Sequence, residues 1–129
     1  MKISKPWGWE KTWVNNELYC HKIMRAENNI WSSSGLYHMH VEKDETFLIA
    51  TGILELDVDG KIYFLRPGQQ KRIKPLTPHR FRSEICIFGE ISTPDREEDS
   101  IRGTLENLRD RARVYRESPY SHSTGIFWH

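Results

Sequence analysis

Turn signals cut the chain between residues 9 and 92 into short segments, and this rhythm limits its possible folds more than any other feature. Asp59-Gly60 is the sharpest of these signals, because the pair favours the left-handed backbone of a type I′ turn. Residues 53–58 should therefore return antiparallel through 61–65. Pro67-Gly68 marks the next turn, 70–73 reads as a short edge strand, and Pro75 and Pro78 flank a rigid connection. Residues 19–26 alternate, with Cys20, Lys22 and Met24 on one face and Tyr19, His21, Ile23 and Arg25 on the other. Further strands are read at 9–14 and 85–92. About nine or ten short strands with no helix before residue 100 predict an all-β barrel or jelly roll.

One pair of strands carries the chemistry. In 35–52, GLYHMHVEKDETFLIATG, two histidines stand one residue apart and a glutamate follows five residues later. Alternation puts His38 and His40 on one face of a strand and Met39 on the other. Residues 41–44 are polar and short enough for a turn, so Glu45 folds back beside the histidines at the start of the next strand. Two imidazoles and one carboxylate form a facial ligand set for a divalent transition metal, with positions left open for substrate or water. His79, delivered by the proline-flanked turn, is a fourth candidate ligand.

The rest of the composition excludes other classes. Nineteen lysines and arginines nearly balance eighteen aspartates and glutamates, which argues against nucleic acid or a membrane surface as partner and for a small molecule. Cys20 and Cys86 are too few for a disulfide scaffold and offer no CxxC site, so both are read as packed thiols. No apolar run approaches the ~18 residues of a membrane span, and the start of the chain lacks the apolar core of a signal peptide, so we expect a cytoplasmic protein. Lys71, Arg72 and Lys74 read as a solvated edge that blunts strand pairing.

The spacing HxH, four residues, Glu, six residues, Gly, followed by a PG turn and an IxPxxPHxF-like segment ending in His79, closely resembles the two motifs of the cupin superfamily. The flanks Lys5-Pro6-Trp7-Gly8-Trp9-Glu10 and Glu90-Ile91-Ser92-Thr93-Pro94 are similar to the cupin domain of type II mannose-6-phosphate isomerases. The likeness runs over roughly residues 5–103, about three quarters of the chain. It implies a double-stranded β-helix (jelly-roll barrel) over 1–103, with 104–129 forming a C-terminal helix and tail. It also implies one divalent ion (Zn2+, Mn2+, Fe2+ or Ni2+) held by His38, His40, Glu45 and His79. The sequence departs from these relatives at three positions: His38 stands where glutamine is common, and Ser32 and Leu76 stand where the motifs usually carry glycine.

Three functions suit such a site. The resemblance implies an aldose–ketose isomerase acting on a sugar or sugar phosphate through a metal-stabilised enediolate. An Fe(II) dioxygenase needs little more than open metal positions, and a non-catalytic sugar-binding cupin needs no base at all. For the isomerase, Glu90 is the candidate base, because Phe88, Glu90 and Ser92 share a face and burial raises a carboxylate's proton affinity. Its structural alternative is an ion pair with an arginine such as Arg82. Lys22 matches a lysine of the isomerase cupins and is the second candidate catalytic residue, with a solvated lysine as its alternative. Trp31 is read as a cap on the barrel mouth. At 104–116, Thr104 with Asn107 resembles an N-cap, and Leu105, Leu108, Ala112 and Tyr115 recur at helical spacing. This stripe and the tryptophans at 7, 9 and 13 predict a homodimer. The tail 117–129 suggests no role.

Overall fold

The computed structural model describes residues 1–118. Eleven strands occur among them: β1 (Lys2–Lys5), β2 (Gly8–Asn15), β3 (Cys20–Glu27), β4 (Tyr37–His40), β5 (Glu45–Gly52), β6 (Leu54–Val58), β7 (Lys61–Leu65), β8 (Gln70–Ile73), β9 (His79–Arg82), β10 (Ile85–Ser92) and β11 (Ser100–Gly103). They form two antiparallel sheets, one ordered β1-β2-β3-β10-β5-β8 and the other β11-β4-β9-β6-β7. Three of these strands have no counterpart in the sequence reading: β9, which reads there only as the end of a proline-flanked turn, and the two edge strands β1 and β11. Neither edge strand has a long alternating pattern, and each owes its existence to a neighbour, β2 for β1 and β4 for β11.

Alternation in the strands builds the interior. Met24, Phe47, Ile49, Leu54, Leu56, Phe81 and Phe88 pack into one buried cluster between the sheets. At its centre the rings of Phe47, Phe81 and Phe88 meet edge to face with centroids 5.2 to 5.9 Å apart, a geometry that adds stabilisation beyond the area buried. Trp7 joins them 4.9 Å from Phe81, so it belongs to the core rather than to an outer aromatic surface. Trp13, in contrast, is exposed.

The turn at 57–60 forms as its residues dictate. Asp59 and Gly60 both have positive φ, and Asp57 Oδ1 accepts the Gly60 N–H at 3.0 Å. Gly52, at the end of β5, has φ +77°, and a Cβ there would lie 2.1 Å from the Ile85 carbonyl oxygen. Only glycine allows β10 to approach so closely.

After β11 the helix α1 (Leu105–Glu117) begins at Thr104, whose hydroxyl accepts the Asn107 N–H at 3.2 Å. Its stripe covers the reverse side of the histidine strand, where Leu108 and Ala112 pack with Met39 and Leu76. Burying a leucine such as Leu108 contributes on the order of 2 kcal/mol. Leu76 sits at φ +60°, a left-handed backbone that leucine rarely adopts. It is held there because its side chain enters this second cluster and its N–H donates to the His40 carbonyl at 2.7 Å. No helix among the described residues is long and apolar enough to cross a membrane. The tail beyond 118 lies outside the described residues.

Candidate metal centre and its acid–base neighbour

Three strands of the two sheets bring the four candidate ligands together. His38 and His40 lie on β4, Glu45 opens β5, and His79 opens β9 directly across from His38. Their ligand atoms all lie within 4.8 Å of one another. Atoms bound about 2.1 Å from one ion stand at most about 4.2 Å apart, so the cluster is within a few tenths of an ångström of a coordination shell. Glu45 Oε2 is 3.4 Å from His40 Nε2 and 3.2 Å from His79 Nε2.

The polar accounting points the same way. His79 Nδ1 donates to the Thr77 carbonyl at 2.8 Å, which leaves Nε2 as the bare lone pair aimed into the cluster. Among the described residues, the buried side-chain nitrogens and oxygens without a hydrogen-bond partner are Arg25 Nε, His40 Nδ1, Glu45 Oε2 and His79 Nε2. Two of these four, Glu45 Oε2 and His79 Nε2, face each other inside the cluster, whereas His40 Nδ1 lies on the other edge of its ring, 3.7 Å from Asp99 Oδ2. The 3.2 Å approach of His79 to Glu45 is thus a close contact without hydrogen-bond alignment. Such orphans are costly in a folded protein unless something else satisfies them, and a divalent cation fits this donor set. Protonation states agree. Burial, aided by His79 and His40, holds His38 well below the usual imidazole range, and burial lowers His40 to about 4. Burial acts to raise Glu45, but its close neighbours His79 and His40, together with the ammonium of Lys43, outweigh it and hold the carboxyl well below its usual range. Neutral imidazole and ionised carboxylate are the forms that bind metal.

Beside the cluster lies a buried set of opposite charges. Glu90 on β10 is 5% exposed, and its carboxylate meets the ammonium of Lys43, itself 2% exposed, at 2.5 Å. Lys43 also contacts Asp95 at 3.0 Å, and Lys22 on β3 bridges Asp95 at 2.8 Å and Glu10 at 3.1 Å. Arg82 pairs instead with Glu55 at 3.1 Å. Burial first, and the charge of Glu45 second, push Glu90 up to about 7 against the pull of Lys43 and Lys22. For Lys43, burial favours the neutral form but Glu90, Glu45 and Asp95 overcome it, so its pKa is raised. Asp95 falls to about 2, because the two lysines outweigh its burial.

Lys43 is the residue that sequence reasoning misses. It lies in the polar turn 41–44, where a lysine ordinarily points to solvent. The turn is inverted by distant residues. Asp99 accepts the N–H groups of Glu42 and Lys43 at 2.7 and 3.0 Å, and Thr93 Oγ1 accepts that of Asp44 at 3.0 Å. Trp31 does not cap the barrel mouth, since it stacks against the guanidinium groups of Arg80 and Arg82. Its neighbour Ser32 is buried, and its hydroxyl accepts the Phe81 N–H at 3.0 Å.

The cluster and the charged set open into one cavity of about 870 Å3, lined by His38, His40, Glu45, Lys22, Lys43 and Glu90 among others. Its size suits a small polar molecule.

Residues 32–84 match the family model of the cupin domain. The fold is the cupin barrel. Three solved cupin-fold neighbours place it. KdgF from Halomonas sp. is 15% identical with a TM-score of 0.66, the match covering 76% of this chain and 89% of that one. Streptomyces Pac13 in a complex with uridine is 10% identical with a TM-score of 0.70, covering 81% and 84%, and Pac13 is described as a nucleoside dehydratase. A sugar phosphate isomerase of the cupin superfamily from Silicibacter pomeroyi is 25% identical with a TM-score of 0.52, covering 60% of this chain and 52% of that one. No curated protein matches the sequence.

Proposed function

We propose that the chain is a metal-dependent aldose–ketose isomerase of a sugar or sugar phosphate. The observation that carries this reading is Glu90: a buried carboxylate with its proton affinity raised to about 7, in the same cavity as a three-histidine, one-glutamate cluster. A general base works best when its pKa is near the operating pH, and paired metal and base sites are what proton transfer beside a carbonyl requires. Similarity to a cupin sugar phosphate isomerase supports the same class.

His38, His40, Glu45 and His79 would hold the ion, which supplies polarisation of the substrate carbonyl and compensation of the charge that develops on its oxygen. Glu90 takes the proton from the carbon beside the carbonyl and returns it to the former carbonyl carbon, while a hydroxyl proton passes between the two adjacent oxygens. Lys43 keeps the Glu90 carboxylate fixed and pointed into the cavity. Lys22 has two of its three donors engaged by Glu10 and Asp95, and the third remains for a substrate hydroxyl.

Metal-loaded protein incubated in heavy water with a panel of aldoses, ketoses and their phosphates should place deuterium at the carbon beside the carbonyl of one of them. Glu90→Gln should slow this exchange by roughly 10²- to 10⁴-fold with metal content intact. Lys22→Met should weaken substrate engagement and spare the metal. Oxygen uptake without exchange would favour a dioxygenase, and sugar binding with neither activity would favour a binding module; either overturns the isomerase.

A further inference from the structure

A neutral imidazole carries one ring proton, so it can offer one nitrogen to a metal only while that proton sits on the other. Each histidine ring of the cluster has an oxygen facing Nδ1 from outside. For His79 it is the Thr77 carbonyl at 2.8 Å, for His38 it is Ser33 Oγ at 3.4 Å, and for His40 it is Asp99 Oδ2 at 3.7 Å. His40 is the contested ring, because it lies between two carboxylates, with Glu45 Oε2 3.4 Å from its Nε2. A proton on Nε2 would satisfy Glu45 and close that nitrogen to an ion. A proton on Nδ1 opens it, and then needs an acceptor on the far side of the ring. His40 Nδ1 is buried without a hydrogen bond, and a shortening of about 0.7 Å would bring it into a charge-assisted bond with Asp99.

Asp99 is built for this task. It ends the short turn Glu97–Asp99 before β11, is 8% exposed, and is not among the residues lining the cavity, so it acts only through other groups. Three successive N–H groups converge on it: Val41 donates to its carbonyl at 3.0 Å, Glu42 to Oδ1 at 2.7 Å and Lys43 to Oδ2 at 3.0 Å. These bonds hold the turn in which Lys43 reaches Glu90. A carboxylate only accepts, with two lone pairs on each oxygen, so Oδ2 has room for the Lys43 N–H and the His40 Nδ1–H together. Asparagine fails here, because whichever way its amide turns, the NH2 group meets the N–H of Glu42 or of Lys43.

We infer that Asp99 is a positioning residue shared by both halves of the site: it holds the His40 proton on Nδ1, which keeps Nε2 open for an ion, and it fixes the turn that presents Lys43 to Glu90. The inference rests on the cluster being a metal site, but not on isomerisation taking place there.

The test is nuclear magnetic resonance of the histidine ring nitrogens in the full chain, metal-free and zinc-loaded, with zinc affinity from calorimetry. In the parent, His40 should carry its proton on Nδ1 in both states. Asp99→Asn should move the proton of the metal-free protein to Nε2 and weaken zinc binding by roughly ten- to a hundredfold. Lys43→Met separates the two roles: it should keep the proton on Nδ1 and bind zinc at least as tightly as the parent, since it removes a like charge near the ion. Asp99→Asn should also lower the urea midpoint, and in the Lys43→Met background this shift should shrink to at most about half, because the turn then has no ammonium to present. A parent with the proton on Nε2 or with no zinc bound, a proton that stays on Nδ1 in Asp99→Asn, an equal loss of zinc affinity in Lys43→Met, or additive midpoint shifts would overturn the inference. The tautomer of the parent decides even if Asp99→Asn does not fold. Because no turnover is needed, the expected tautomers without deuterium exchange on any sugar would sink the isomerase and leave Asp99 in this role, and exchange by a parent whose metal-free His40 is protonated on Nε2 would do the reverse.

Discussion

Replacing Lys43 by methionine keeps the volume of the stem but strips Glu90 of its counter-charge in the barrel interior. Removing one partner of a buried ion pair is destabilising by about 3 to 5 kcal/mol when the other stays charged. Glu90 has an escape, which is to take up a proton. In the metal-free parent its folded pKa, about 7, lies above the unfolded reference of 4.5. A carboxyl whose pKa is raised by folding destabilises the fold progressively as pH rises from its unfolded to its folded value. Without Lys43 the folded value rises further, by about two units for a loss of 3 kcal/mol. Parent and variant should then differ little at pH 5.5, where Glu90 is protonated in both and Asp95 retains Lys22. Above pH 7 the parent has finished releasing its proton and the variant has not, so the gap should widen by about 1.4 kcal/mol per pH unit, reaching about 2 kcal/mol more at pH 8.5 than at pH 5.5. Urea unfolding of EDTA-treated protein at the two pH values measures this directly. The double variant Lys43→Met/Glu90→Gln, which buries neither charge, should recover most of the loss at pH 8.5. A loss independent of pH, or one that Glu90→Gln does not relieve, would refute the reasoning.

His40→Ala should abolish stoichiometric divalent metal in elemental analysis while circular dichroism keeps the β spectrum, since the aromatic core on Phe47, Phe81 and Phe88 is untouched. Added metal should raise the melting temperature of the parent, by the equivalent of about 4 kcal/mol at a thousand times Kd, and leave the variant unmoved. Leu76→Gly relieves a left-handed backbone strain of order 1 kcal/mol but removes a 3% exposed leucine from the cluster under α1. A net loss of about 1 to 3 kcal/mol in denaturant melts is expected, and a stabilised variant would show that the packing is dispensable. The exposed Trp13, Leu18, Tyr19 and Ile91 sit on or beside the β1-to-β8 sheet, and we expect a homodimer by light scattering at micromolar concentration; a monomer would refute it.

Much of this molecule can be read from neighbouring residues alone, because period-two alternation and turn chemistry act over a few positions. His38 and His40 on one face with Met39 on the other, the Asp59-Gly60 turn, and the Thr104 cap with its apolar helical stripe all follow from local covalent geometry and appear in the structure as read. Glu90 on the inward face is legible by the same rule. What local pattern cannot carry is the identity of a partner far along the chain. The strands β1 and β11 exist through pairing with β2 and β4, and Trp7 is core only because Phe81 meets it across the barrel. Lys43 reads as a solvated turn residue until Asp99 and Thr93, some fifty positions later, turn it inward onto Glu90. Arg102 is exposed, as an arginine on a short edge strand would be, and only pairing with β4 shows that it stands opposite His38. Alternation alone determined which side chains could converge, whereas tertiary structure decided which charges were left paired and which were left free, because ion pairing depends on distances that only the closed barrel defines.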